Sequence, residues 1–350
     1  MATLANSGPA ARNYPLNCWW VAAFADEVTR TPLARWLLDT PVVLFRTEAG
    51  EAVALEDRCP HRQAPLSIGK LHGDAIECGY HGFQFNREGR CTFVPTMSSP
   101  PPIRVATYPV REIGPLIWIY LGDKDRLDAV PPPPVLGWIE DPAFSFRKGL
   151  MPVAANYLLL KENVLDLSHF GFVHASSFQI TDWVVAPVVT RGEGTVRYRQ
   201  EFVRAPLPGP MAAGIGVAPH TPWNRVYEGG FLSPAAQEGG VDLADPDGKD
   251  PRVASTRFAH FTTPIDQGNM YYFYVVARNF AREDAALDFF AELVKKGFEE
   301  DEFVLEQVQK LASRTPRRGS QGERSVKADA AGVEARRIVD EWMARETIHD

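Results

Sequence analysis

Cysteine is scarce in this sequence: four in 350 residues, too few for a disulfide framework. Long apolar runs are missing too, and none approaches the roughly 20 residues that a membrane-spanning helix needs. Positive charge is not in excess, since 37 Lys and Arg stand against 44 Asp and Glu for a net charge of −7. With no basic cluster either, neither nucleic acid nor an anionic membrane is expected as a partner. The opening MATLANSGPAARNYP has no apolar stretch of the kind a secretory leader carries, so a cytoplasmic location is expected. No Gly-x-Gly-x-x-Gly follows a strand-like run, so the chain has no dinucleotide site of its own. Nothing repeats at a solenoid period. What is present, 45% hydrophobic and 23% charged residues, suffices for one large or two ordinary domains with real cores.

From Asn17 to Asp123 the runs TPVVLFRT, AVALED, TYPVRE and PLIWIYLG are β-branched or aromatic and bounded by Gly, Pro and Asp, which predicts short strands. Four consecutive prolines, Pro131 to Pro134, then exclude helix and favour an extended spacer. A domain boundary is placed there, dividing the chain into 15–130 and 135–350; a rigid strap within one domain is the alternative. Beyond it, Asn156 to Phe172 reads as helix, and Thr195–Ala205, Arg257–Thr263 and Met270–Asn279 read as strands. The C-terminal end reads as mainly helical. Between Ala205 and Pro251 the sequence is rich in Gly, Pro and Asp, which predicts a long loop acting as a lid or a disordered segment.

Two of the cysteines sit in a pattern. Cys59-Pro-His61 and Cys78-Gly-Tyr-His81 each offer a thiolate and an imidazole within two or three residues. Two such loops facing each other suit a metal centre, either tetrahedral zinc or a Rieske cluster with two Cys on one iron and two His on the other. Zinc fingers pair Cys with Cys and His with His, whereas each half here is mixed, which favours the cluster. Gly79 and Gly82 suit tight turns. Cys18 and Cys91 read as ordinary buried thiols, and His72 as an exposed turn residue.

A second set lies in KENVLDLSHFGFVHASS. Asn163, Asp166 and His169 recur every three residues and would share a helix face. His174 falls off that face unless Gly171 bends or ends the helix. Two convergent histidines with a carboxylate suggest a 2-His-1-carboxylate metal site. The third ligand is sought in FFAELVKKGFEEDEFVLEQVQKL, whose apolar stripe runs through Phe290, Leu293/Val294, Gly297/Phe298, Val304/Leu305, Val308 and Leu311. Of four consecutive acids only Asp301 lies at its centre, where an unpaired carboxylate is costly. Asp301 is therefore a ligand or half of a buried ion pair, while Glu299, Glu300 and Glu302 read as a solvated face.

Together, Cys-x-His…Cys-x-x-His, the proline spacer and Asn-x-x-Asp-x-x-His-x₄-His resemble the terminal oxygenases of the Rieske non-haem iron family. ENVLDLSH, VHASS, ARNF, FEED…LEQ and DAAGV are similar to phrases of the group that includes vanillate O-demethylase, dicamba O-demethylase and toluenesulfonate methyl-monooxygenase. The resemblance implies an α+β protein: an N-terminal all-β Rieske [2Fe–2S] domain, then a catalytic domain with an antiparallel sheet around a long helix, a helix-grip. It implies a cluster on Cys59, His61, Cys78 and His81, and Fe²⁺ on His169, His174 and Asp301, with Asn163 close to the iron. Asp166 would bridge a cluster histidine of one subunit to an iron-ligand histidine of its neighbour in an α₃ trimer. Electrons would come from NAD(P)H through a separate reductase or ferredoxin. With O₂ they would monooxygenate a small aromatic acid, by O-demethylation of a methoxybenzoate with release of formaldehyde.

Methyl or ring hydroxylation and N-demethylation are the alternatives within the family; an electron carrier or a structural zinc protein is the alternative outside it. The resemblance also aligns His260 with a substrate-contacting histidine. Phe178, Trp183, Phe261 and Tyr272 are candidates for an aromatic pocket, and Arg225, Arg257 and Arg278 for meeting an anionic substrate; His220 falls in the long loop. Lys161-Glu162 departs from the more apolar or Asp-bearing sequence of the relatives.

Overall fold

The computed structural model describes residues 12–180, 185–314 and 324–347. The N-terminal part is built from three small antiparallel sheets. One joins β2 (Leu33–Leu37), β3 (Thr40–Arg46), β4 (Ala52–Glu56) and β9 (Thr107–Tyr108). A second joins β5 (Lys70–His72), β6 (Ala75–Glu77), β7 (Gln84–Phe85) and β8 (Cys91–Phe93). These two enclose a core of their own around Val43, Phe45, Leu55, Leu66, Ile76 and Phe85. The third places β11 (Leu116–Tyr120) between β1 (Trp19–Phe24) and β10 (Val110–Ile113). Every residue of WWVAAF and of LIWIY is buried, so these strands lack the in–out alternation of a solvated sheet and are covered on both faces. Their cover is the C-terminal part: Trp118 meets Phe261 edge-on at 5.6 Å, Phe24 meets Phe273 at 5.4 Å, and Thr263 Oγ1 donates to Val21 O at 2.7 Å.

After the proline segment and a short helix α1 (Gly137–Glu140), seven strands form one antiparallel sheet. They are β12 (Ser145–Val153), β13 (Val188–Arg191), β14 (Val196–Pro206), β15 (Pro222–Ser233), β16 (Ala236–Ala244), β17 (Val253–Pro264) and β18 (Met270–Arg278). The spatial order is β12-β18-β17-β16-β15-β14-β13, a meander whose last strand returns to pair with the first. Strand β14 shows the clean alternation of a half-buried strand, with Val196, Tyr198, Gln200 and Phe202 inward and Arg197, Arg199, Glu201 and Val203 outward. The helices are α2 (Tyr157–Leu165), α3 (Gly209–Ile215), the 31-residue α4 (Asp284–Arg314) and α5 (Ala330–Thr347). On α4, Leu287, Val294, Gly297, Phe298, Asp301 and Leu305 are buried. The Phe298 ring sits against His260, Tyr272 and Tyr274 of the sheet. The sheet thus grips the long helix. No helix of the described residues is long and apolar enough to cross a membrane.

Two expectations fail here. Residues 205–251 are not a lid: they supply α3 and two central strands, β15 and β16. The glycines that imitate a loop are a packing device. Gly229 pairs with Gly239 across β15 and β16, and the Tyr198 hydroxyl lies 2.7 Å from where a Cβ on Gly229 would sit. Glycine inside a strand marks such a close approach. The second failure concerns α2, which stops at Leu165. Asp166 is extended (φ −123°, ψ 100°), and its side chain accepts the Ser168 N–H, opening a separate 3₁₀ turn over Leu167–Gly171. A capping aspartate competes with helix continuation, so Asn163, Asp166 and His169 do not share one helix face.

Candidate metal centres and the adjoining cavity

The two Cys/His loops are built alike. Cys59 N–H donates to Ala64 O and Gln63 N–H to Cys59 O, both at 2.8 Å. Cys78 N–H donates to Phe83 O at 2.8 Å and Gly82 N–H to Cys78 O at 3.0 Å. In each loop the fourth residue after the cysteine is left-handed, Gln63 at φ +61° and Gly82 at φ +71°, and only glycine adopts that conformation freely. Both thiols point into the small core, 1% and 2% exposed, and burial pushes the Cys59 thiol up to about 11. His61 and His81 lie outside, exposed, their rings 4.5 Å apart. An inner pair of sulfurs and an outer pair of imidazoles is the donor set of a Rieske cluster. Among the described residues the only three-donor set converging within 4.8 Å is a different one, so these four do not close on a single point as one zinc ion requires. Cys18 and Cys91 are buried free thiols, and His72 is exposed.

The convergent set is His169, His174 and Asp301. His169 Nε2 and His174 Nε2 lie 3.4 and 3.3 Å from Asp301 Oδ1. Both Nε2 atoms are buried without a hydrogen-bond partner. Their other nitrogens are tied back, His169 Nδ1 to the Asp166 carbonyl at 2.6 Å and His174 Nδ1 to Glu300 Oε2 at 2.8 Å. Protons held at Nδ1 leave both Nε2 lone pairs aimed at one point, the arrangement metal ligation needs. Asn163 Nδ2 donates to Asp301 Oδ1 at 3.0 Å. Burial works against the Asp301 charge, yet the two histidines close to it outweigh that and hold this carboxyl down at about 2. The donor set, its burial and its unpaired nitrogens fit a divalent iron.

Sequence reasoning missed Glu300, which is not part of a solvated face. Besides His174 it accepts from Ser177 Oγ at 2.6 Å and so pins the VHASS turn to α4. Neighbours on a helix point about 100° apart, so Glu300 sits at the edge of the buried stripe, where periodicity carries no signal. The stripe itself is shorter than expected, since Val308 and Leu311 are exposed. Asp166 also differs from expectation: within this chain its main-chain carbonyl, not its carboxylate, holds His169. The Asp166 side chain is half-buried in a depression shared with Ser168, Pro187 and Gln200.

A cavity of about 160 Å³ opens from the triad, lined there by Phe170, Phe178 and His260. That is the size of a cavity that accepts one aromatic ring. His260 Nδ1 and the Tyr272 hydroxyl are 2.7 Å apart, and burial lowers the His260 pKa to about 4. His260 is therefore neutral near pH 7. Phe178 and Arg278 line the cavity; Tyr272 stands behind His260, and Phe261 packs on Trp118 in the core. Arg225 is buried beside Phe202 and Tyr227, Arg257 is paired with Asp242 at 2.7 Å, and His220 is exposed. Trp183 lies outside the described residues.

Residues 18–109 match the Rieske [2Fe-2S] domain family, and residues 153–345 match the vanillate O-demethylase oxygenase C-terminal domain family. The vanillate O-demethylase oxygenase subunit of Pseudomonas sp. (strain HR199 / DSM 7063) is 33% identical over 95% of this chain and 96% of its own length. The iron–sulfur subunit of a toluene-4-sulfonate monooxygenase system of Comamonas testosteroni is 31% identical over 94% and 97%. The dicamba O-demethylase oxygenase component of Stenotrophomonas maltophilia is 33% identical over 78% and 80%. A crystal structure of dicamba monooxygenase bound to 3,6-dichlorosalicylic acid superposes with a TM-score of 0.85 at 28% identity, covering 95% of this chain and 98% of that one. On its two metal-binding parts and on likeness along nearly its whole length, the chain belongs to the Rieske non-haem iron oxygenases, as an oxygenase component that carries a Rieske [2Fe–2S] cluster and a mononuclear non-haem iron.

Proposed function

We propose that this oxygenase monooxygenates a small aromatic acid, O-demethylating a methoxybenzoate to a phenol and formaldehyde. The observation that carries the reading is the single-ring cavity closed at one end by two orphaned imidazole nitrogens and a buried carboxylate. Cys59, His61, Cys78 and His81 hold the cluster, and His169, His174 and Asp301 hold Fe²⁺. When bound, the iron supplies the place where O₂ is reduced with electrons passed on from the cluster. The balance is one methoxyarene, O₂, NAD(P)H and a proton to one phenol, formaldehyde, water and NAD(P)⁺. The chain's own groups do the rest. Asn163 steadies Asp301 through its 3.0 Å bond, Phe170 and Phe178 keep water from the triad, and neutral His260 offers the ring a hydrogen bond.

The electron donor is a reductase or ferredoxin, a separate protein, in the cytoplasm where free thiols such as Cys18 and Cys91 persist. The chain divides functionally into 15–130 and 135–350 and assembles as a ring-shaped trimer. There the exposed His61 and His81 of one subunit face the Asp166 depression of the next. Exposed apolar side chains beside the cluster loops (Ile68 at 67% and Tyr80 at 63%) support that docking.

The test is anaerobic purification with metal analysis, followed by turnover of methoxybenzoates with ¹⁸O₂ and a surrogate reductase. About three irons per chain, the rhombic EPR signal of a reduced Rieske cluster and one labelled oxygen per turnover are expected. Two labelled oxygens in a ring diol would replace demethylation with ring dihydroxylation.

A further inference from the structure

We propose that Arg278 anchors the carboxylate of the aromatic substrate at the end of the cavity remote from the triad, and so decides which ring substituent faces His169, His174 and Asp301. This rests on the reading of the site as an oxygenase for aromatic acids. Arg278 is the last residue of β18 and pairs with Thr256 of β17. Four residues further along β17, on the same face of the sheet, His260 marks the triad end, about 13 Å away at strand rise. Thr256, His260 and Arg278 all line the cavity.

Arg278 is 5% exposed. Its guanidinium carbon lies over the Phe280 ring at 5.4 Å and the Phe290 ring at 5.0 Å. Among the described residues its only hydrogen bond runs from Nη2 to Ala281 O at 2.6 Å, and Nε is buried with no partner. Among the described residues no carboxylate lies within ion-pair distance; Glu283, whose charge it feels, is exposed. Arg257 on the same strand pair shows the usual alternative, a close ion pair with Asp242. A buried guanidinium left with one carbonyl carries a heavy desolvation penalty unless an anion joins it. Two aromatic rings lie against it and supply no hydrogen-bond acceptor in its plane, and a planar fork of donors meets a carboxylate bidentately. Among the described residues no other Arg or Lys lines the cavity, so an oxyanion entering it meets one cationic partner there.

The test measures equilibrium binding to the anaerobic holoenzyme of 3- and 4-methoxybenzoate, the corresponding methoxybenzamides and 4-methylbenzenesulfonate. The wild type is expected to bind at least one acid roughly 30-fold or more tightly than its amide. Arg278→Met abolishes that preference by weakening the acid far more than the amide, and Arg278→Lys restores part of it. Tighter binding of the sulfonate, with the same loss in Arg278→Met, keeps the anchor and makes its natural anion a sulfonate. Equal binding of acid and amide by the wild type overturns the proposal, a result that needs no variant to fold. Failure to bind any acid overturns it too, as does an equal loss of acid and amide in a variant whose cluster EPR signal is intact. Arg278-dependent binding without demethylation leaves the anchor standing and removes the O-demethylase reading; demethylation of neutral methoxyarenes as fast as of acids does the reverse.

Discussion

Glu300 and Lys161 show how much a single buried ionisable group controls. Glu300 holds His174 by its Nδ1–H and is itself held by Ser177. Burial opposes a charge on His174, but Asp301 and Glu300 outweigh it and raise its pKa. A carboxylate behind a ligating imidazole orients the ring and raises its basicity. Glu300→Gln keeps the hydrogen-bonding shape and loses the charge, so iron affinity at the triad should fall about 10-fold or more in chelator competition, with the cluster EPR signal unchanged. Lys161 is 1% exposed, and its Nζ donates to Thr262 Oγ1 at 2.7 Å. Tyr157 and Phe231 face it with their rings, Cys18 and His260 lie within electrostatic reach, and no carboxylate among the described residues pairs with it. Burial lowers its pKa to about 7. The unfolded chain keeps this proton to about pH 10.4, so between 7 and 10 the unfolded state binds more protons and stability rises with pH. Lys161→Met should therefore stabilise the protein most at or below pH 7, by something on the order of 4 kcal/mol, with the gain shrinking toward pH 10. Urea midpoints of the two proteins across that range read it directly. Glu162, the other half of the departure from the relatives, ties α2 to Arg336 of α5.

At the scale of elements, burial was legible along the chain where a residue's own chemistry demanded it and hidden where small residues carried a packing role. Asp301 was legible because a carboxylate at the centre of an apolar stripe needs a partner, and the helix carries it to the triad. The break between Leu165 and Leu167 was not, because a capping aspartate and a helical aspartate look alike along the chain. Strands β15 and β16 were hidden by glycines whose purpose, room for Tyr198, exists only once β14 lies beside them. Gly297 plays a similar part on α4: a Cβ there would stand 2.3 Å from the Phe178 ring, which itself packs on His174 at 4.7 Å. Gly297→Ala gains helix propensity of about 1 kcal/mol and drives Phe178 toward the cavity it lines. The expected outcome is a melting temperature within a few degrees of wild type and a clear loss of aromatic-acid binding. A lowered melting temperature with unchanged binding would mean that the backbone, not the ring, gave way.

For the whole molecule, the N-terminal strands and the catalytic sheet share one core, from Trp20 and Trp118 to Phe261 and Phe273. The outer end of α5 closes back on the N-terminal part, where Glu346 accepts from Arg12 Nη2 at 2.7 Å and from Asn17 N–H at 2.5 Å. Such continuity keeps the cluster loops and the triad at a set distance within a chain, and in the proposed trimer electrons would cross to iron between subunits. Asp166→Asn probes that crossing selectively. Asparagine still caps Ser168 N–H, and the main-chain bond to His169 is untouched, so only a charge is lost. Both metal sites should fill normally while NAD(P)H-coupled turnover falls roughly 100-fold; full turnover in that variant would remove Asp166 from the electron path.

The order of residues alone marked the two candidate ligand sets, because a metal selects donor types and spacings that few other pressures would place together. It also determined the all-β and mixed halves, through runs whose hydrophobicity admits one kind of burial. Tertiary structure alone decided that the Cys/His donors do not close on one ion, that Glu300 faces inward, and that Arg257 is neutralised while Arg278 is left for a ligand. Those outcomes depend on which strand lies beside which, and a partner brought in from a distant segment leaves no trace in local pattern.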